Sequence, residues 1–277
     1  MEEKAHLMIE CFNLTGVDAI GVGDDDLTLG KEFLLEISKK ANFPFLSSNL
    51  FDEASGKNLF QLSLIKKING LRIGIFSLLS PDLFTNSSDP RKKGLNIRPP
   101  IEVANAMVKE LKPKTDLIIL LSHLGYVKDI ELAQSVQGIN IIVGGHTGIN
   151  LVYPLVIKDT IILQTASRGM FGARLDLLFY NNEPIIYNSA TRISLQNNLN
   201  SINQRLNAKE TPELEKAQWR KAKEETERTL HQLRNKNEFT NSVIPLPEQM
   251  REDPDIRNLV ETYKTQYPAT GPSSTPK

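Results

Sequence analysis

Apolar positions along the chain fall into short blocks of two alternating kinds. Residues 3–15 place Ala5, Leu7, Met8 and Phe12 at helical spacing, and residues 30–41 do the same with Phe33, Leu34, Ile37 and Ala41. Between them, "GVDAIGV" (16–22) is short, apolar and bounded by glycine, as buried strands are. "FPFLSSNL" (43–50) reads as a strand running into a loop. "LFQLSLIKKI" and "LRIGIFSLL" flank Asn69-Gly70, the strongest short hairpin signal. A polar, proline-rich loop follows over 80–99. A helix over 101–111, a buried strand in "DLIILLSHLG" (116–125), a short helix over 128–136 and a second buried strand in "INIIVGGHTG" (139–148) come next. "YPLVIKDTIILQTA" and "RLDLLFY" predict further strands. Apolar strands alternating with helices predict an α/β fold. The hairpin and the strands beyond 150 predict a second, antiparallel part.

From about residue 200 the pattern changes. Residues 211–235, opening "TPELEKAQWRKAKEETERTL", predict a charged helix with a thin apolar stripe, Thr211 as its N-cap and Pro212 at its first position. The expected division is a domain over 1–200 and a charged helical tail over 201–277. The final stretch, "YPATGPSSTPK", is expected to be disordered. Lys and Arg balance Asp and Glu, 33 against 33, so no basic excess points to a nucleic-acid or membrane-surface partner. The single cysteine, Cys11, excludes an internal disulfide framework and a cysteine-rich metal site; a buried, inert thiol is its default reading. No apolar run is long enough to span a membrane. The opening "MEEKAHLMIE" is acidic and lacks the features of a signal peptide, which predicts a cytoplasmic protein if Met1 is the genuine start.

Candidate chemistry gathers at the predicted strand ends. Asp24, Asp25 and Asp26 follow "VDAIGV", and three adjacent carboxylates repel unless water, donors or a cation are near. His123 follows "DLIILLS" and His146 follows "INIIVGG". In open α/β sheets, ligands bind at the carboxyl ends of strands. Carboxylates with imidazoles suit a divalent cation such as Mn, Fe or Zn. Taken singly, an acidic triplet is usually a solvated loop and a post-strand histidine is usually structural. Their joint placement at three strand ends is what favours a shared crevice. His6 and His231 are expected on polar helix surfaces, and Trp219 at a core edge or partner surface. A calcium loop of EF-hand type counted from Asp24 would need Gly and Glu where Leu29 and Leu35 stand. A phospho-acceptor receiver would need a further Asp at the end of "GLRIGIFSLL", which has none.

"VDAIGVGDDDLTLGKEFLLEISKKANFPFLSSNL", "DLIILLSHLG" and "IIVGGHTG", in this order, resemble the calcineurin-like metallophosphoesterases, and among them the 5′-nucleotidase branch, over roughly residues 3–180. The resemblance implies an α/β/β/α sandwich of two mixed sheets, here without the family's first strands and with a C-terminal helical tail. It implies metal-assisted hydrolysis of a phosphate monoester of nucleotide type. Asp24 falls where the family has a metal-ligating Asn, Asp25 where it has a catalytic His, and His123 and His146 on metal-ligating histidines. Gly148 falls where the family has another ligand histidine. The family's early Asp-X-His and Gly-Asp strands have no counterpart. One site at most is therefore expected, for Mn, Zn or Fe, held by Asp24, His123 and His146, with weak or no turnover. The alternative is a non-catalytic module that binds a phosphate, a metal or a protein partner, with the 211–235 helix as its contact. Relatives of this branch are commonly exported, which implies a periplasmic or extracellular place if a segment precedes Met1.

Overall fold

The structure, a computed structural model, describes residues 1–84, 88–208 and 212–268. Helix α1 (Glu2–Thr15) stops at Gly16, whose φ of 70° only glycine adopts freely. Strand β1 (Ile20–Gly21) leads through a single 3-10 turn into α2 (Gly30–Ser38), then β2 (Phe45–Leu46) and β3 (Leu50–Asp52). β4 (Ser63–Ile68) and β5 (Leu71–Leu79) form the predicted hairpin, with Asn69 and Gly70 at φ 50° and 88° as a two-residue I′ turn requires. β6 (Leu95–Ile97), α3 (Pro100–Leu111), β7 (Leu117–His123), α4 (Tyr126–Ser135) and β8 (Ile141–Gly144) alternate. β9 (Leu155–Ile157), β10 (Thr160–Leu163), β11 (Phe171–Leu178) and β12 (Ile186–Asn188) follow. The chain ends in α5 (Ser189–Asn207), α6 (Glu213–Gln232), β13 (Asn237–Pro245) and α7 (Pro254–Gln266).

The main sheet runs β4-β5-β7-β8-β10-β9, with four parallel strands at its centre and an antiparallel strand at each edge. The second sheet runs β11-β13-β12. Side-chain alternation along β7 joins them. Ile118 and Leu120 pack with Met107, Leu111 and Leu132 of the helices on one face. Leu117 and Ile119 pack on the other face with Ile141, Ile161 and Phe239, where the second sheet lies. α5 lies against β12 and β13. The layers are thus helix, sheet, sheet, helix: the expected sandwich of two mixed sheets. A third cluster, including Ile9, Val22, Leu34, Ile37, Phe43 and Phe45, packs α1 and α2 around β1 and β2.

Three features depart from the sequence reading. The hairpin β4-β5, and β9 and β10, belong to the main sheet rather than to a second part: β5 pairs parallel with β7, and Thr160–Leu163 is buried at every position and needs cover on both faces. The second sheet is mixed rather than antiparallel, since β13 pairs antiparallel with β11 and parallel with β12. β13 itself comes from the stretch read as a helical tail. Its first residues are polar yet buried. Asn237 accepts from the backbone N–H groups of Tyr180 and Asn181 (2.8 and 3.1 Å), and Glu238 pairs with Arg192 (2.6 and 3.0 Å). Residues beyond 200 therefore supply helices and the central strand of a sheet.

α6 matches the expected charged helix, and Arg205 of α5 lies 4.7 Å over the Trp219 ring, which joins the two helices. The proposed N-cap Thr211 lies outside the described residues, as does most of the final stretch. Cys11 is half-buried rather than buried, and desolvation together with Glu10 pushes its thiol pKa up. Among the described residues, no helix is long and apolar enough to cross a membrane.

Phe239 is 1% exposed and is the largest side chain that β13 places between the sheets. Phe239→Ala is expected to cost about 3–5 kcal/mol in urea unfolding through the cavity it leaves. A loss under about 1 kcal/mol would show that β13 is not part of the cooperative core.

Candidate functional site

Parallel pairing levels the strand ends. Leu79 of β5 stands opposite His123 of β7, and Ser122 stands opposite Gly144 of β8. Beyond β1, Val22 N–H still donates to Leu46 C=O at 3.0 Å, so the chain carries Gly23 and Asp24 out beside β7. Small residues make the approach possible. A Cβ on Gly23 would lie 2.9 Å from Cε1 of His123, and one on Gly145 would lie 3.3 Å from its Nδ1. Asn49, from the "SSNL" segment, fixes the neighbouring end of β5: its side chain accepts from Leu79 N–H (2.9 Å) and donates to Leu79 C=O (2.8 Å).

Asp24, His123 and His146 meet beside these strand ends. His123 Nε2–H donates to Asp24 Oδ1 at 2.9 Å, and His146 Nδ1 lies 3.7 Å from the same oxygen. The two imidazole centres are 5.2 Å apart. One donor atom from each residue lies within 4.8 Å of the others. Asp24 is only 6% exposed. Burial pushes its carboxyl pKa up, but the hydrogen bond and charge of His123, with those of Arg91, outweigh this and hold it below its ordinary value. The group is an ionised carboxylate and two imidazoles, a donor set that fits one divalent cation. Asp24 Oδ1 with one nitrogen from each of His123 and His146 would hold it. His146 has a backbone φ of 70°, a left-handed conformation that costs a non-glycine residue on the order of 1 kcal/mol.

The other candidates do not join this group. Asp25 leaves 96% of its side chain in solvent; its nearest charged partner is Arg91 at 3.5 Å. Asp26 turns back on its own loop, where Oδ2 accepts from Gly23 N–H at 2.8 Å. Gly148 sits at φ 63° beside Ser167 and serves the turn.

Two residues near the site escaped the sequence reading. Arg91, from the polar 80–99 loop, donates from Nη1 to Asp24 Oδ2 at 2.6 Å. Its position is set by the Asp89-Pro90 turn, in which Asp89 accepts from Arg91 N–H at 3.0 Å. The Asp-Pro dipeptide was the available signal, but it marks a turn and not what the turn approaches. Asp129 of α4 is fully buried behind the end of β7. Its Oδ1 accepts from the Ser122 hydroxyl, while Oδ2 has no hydrogen-bond partner among the described residues and faces Gly144. Burial pushes its pKa up to about 7. Here the signal was legible: Asp129 lies on the same helical stripe as Leu132, Ala133 and Val136.

No family model matches the chain. It is 31% identical over 199 residues to a 5′-nucleotidase of Vibrio cholerae, an alignment that covers 61% of this chain and 36% of that protein. The chain thus spans little more than a third of that relative's length. Among solved structures, a 5′-nucleotidase precursor from Thermus thermophilus superposes with a TM-score of 0.68 at 21% identity, covering 95% of this chain and 46% of that one. The calcineurin-like phosphoesterase YfkN from Bacillus subtilis gives a TM-score of 0.53 at 22% identity, covering 64% of each chain.

Asp129 makes stability depend on pH. The unfolded carboxyl ionises from its ordinary 3.8, whereas the folded one keeps its proton until about pH 7. The folded state therefore binds more protons between these values, and its stability falls as pH rises through them. Asp129→Asn is expected to flatten that fall, gaining up to roughly 4 kcal/mol over the parent at pH 7.5 and nothing near pH 4. Urea unfolding at the two pH values checks this; parallel profiles would contradict it.

Proposed function

This chain is related, over the part it shares with them, to the 5′-nucleotidases of the calcineurin-like metallophosphoesterases, and from that premise we propose that it binds one divalent ion and slowly hydrolyses phosphate monoesters of nucleotide type. The observation that supports this reading is the meeting of Asp24, His123 and His146, 99 and 23 residues apart in turn, with their donor atoms within 4.8 Å. A divalent ion held there supplies Lewis-acid withdrawal of charge from a phosphoryl oxygen. Asp24 contributes one oxygen only, since Arg91 occupies the other. Nε2 of His123 can be the ligand atom only if its hydrogen bond to Asp24 Oδ1 is given up; otherwise Nδ1 is the nitrogen that faces an ion. The buried position of Asp24 lowers the local dielectric and strengthens each charge interaction its carboxylate makes.

Slow turnover follows from the donor count. Among the described residues, no second group of metal-ligating side chains accompanies the first. Asp25, standing where the family has a catalytic histidine, is solvent-exposed and outside the donor group.

Titration calorimetry with Mn²⁺ alone, followed by hydrolysis of a generic aryl phosphate and of a nucleoside monophosphate, tests the reading. One ion per chain and slow Mn²⁺-dependent release of phosphate are expected. His123→Ala and His146→Ala should each weaken Mn²⁺ at least about tenfold, or roughly 1.4 kcal/mol. Hydrolysis that survives both substitutions, or a chain that binds no Mn²⁺, would overturn it.

A further inference from the structure

Arg91 engages the carboxylate oxygen of Asp24 that the histidines leave. Its Nη1 donates to Oδ2, while His123 and His146 gather at Oδ1. The rest of the guanidinium is clamped. Nε and Nη2 donate to Asp89 at 3.1 and 2.9 Å, Nη2 also reaches Leu83 C=O at 3.3 Å, and the Phe84 ring centre lies 5.4 Å from its carbon. The side chain still keeps 23% of its surface in solvent. Among the described residues, Nη1 has one further neighbour, Asp25 Oδ1 at 3.5 Å. That separation is too long for a strong hydrogen bond, and the Asp25 side chain is 96% exposed and free to swing out. The site therefore presents a pre-aligned guanidinium with one loosely covered donor, on the same carboxylate that faces the histidine pair.

A guanidinium fixed in this way suits a phosphoryl oxygen, which carries more charge than a carboxylate oxygen and accepts the same N–H geometry. Asp25 and an incoming phosphate compete for one donor. We propose that Arg91 is a substrate-binding residue of this site: Nη1–H takes a phosphoryl oxygen in place of Asp25, and the guanidinium acts as a fixed second cation beside the single ion. This rests on the phosphoester reading above. It assigns Asp25 the role of a displaceable anion that covers the donor when no phosphate is bound.

Calorimetry with inorganic phosphate, on the full chain saturated with Mn²⁺, tests the assignment, with a prior Mn²⁺ titration of each variant as the control. Arg91→Gln is expected to keep one Mn²⁺ per chain and to weaken phosphate by at least about tenfold, the loss of a charge-assisted hydrogen bond. Arg91→Lys, which keeps the charge and loses the fork, should fall between Arg91→Gln and the parent. Asp25→Asn should tighten phosphate by about two- to fivefold, the scale of an exposed charge pair. Phosphate binding by Arg91→Gln within twofold of the parent, with Mn²⁺ retained, overturns the role of Arg91 and leaves the ion site standing. Failure of the parent to bind Mn²⁺ overturns both. Should Arg91→Gln lose its circular-dichroism signature of the fold, Asp25→Asn decides: tighter phosphate supports the proposal, and unchanged or weaker phosphate overturns it.

Discussion

Asp24 has only 6% of its surface in contact with water, and a carboxylate so placed must be neutralised or protonated. Leaving it charged and alone would cost several kcal/mol. The surrounding structure answers that constraint from two sides: His123 hydrogen-bonds one oxygen and Arg91 the other. Both partners come from distant parts of the chain, 99 and 67 residues on. Holding them there requires the level ends of β5 and β7, the glycine at 23 and the Asp89-Pro90 turn. Much of the local architecture can be read as support for one buried charge.

The same constraint leaves a donor set that would suit a cation. His146 stands 3.7 Å from Asp24 Oδ1, beyond hydrogen-bond distance, in a left-handed backbone conformation. Strain of this kind persists only where surrounding contacts fix it, and it clusters at binding sites. In this arrangement Oδ1 is shared by one short contact and one long one, while Oδ2 accepts from the guanidinium. A divalent ion would draw the three ligand atoms around a charge that the protein has already half compensated.

Much of this was legible in the sequence. Three acids and two histidines follow short apolar runs, and parallel sheets bring such strand ends to one edge. The hairpin at Asn69-Gly70 and the buried strands of the main sheet were legible for the same reason: their periodicity is carried by large apolar residues. β13 was not, because Asn237 and Glu238 are buried by pairing rather than by apolarity. Arg91 was not, because a polar loop has no period that fixes its path. The separation among Asp24, Asp25 and Asp26 was not either. Three identical neighbours diverge because the 3-10 turn at Asp25–Leu27 points successive side chains in different directions.

Anomalous diffraction from crystals soaked in Mn²⁺ can decide whether this buried carboxylate and its two imidazoles form a metal centre. The expected result is a single strong peak per chain, bonded to Asp24 Oδ1 and to one ring nitrogen of each of His123 and His146, with Arg91 still on Oδ2. No peak at this group at saturating Mn²⁺, or a peak bound elsewhere while the His123–Asp24 hydrogen bond stays intact, would contradict it.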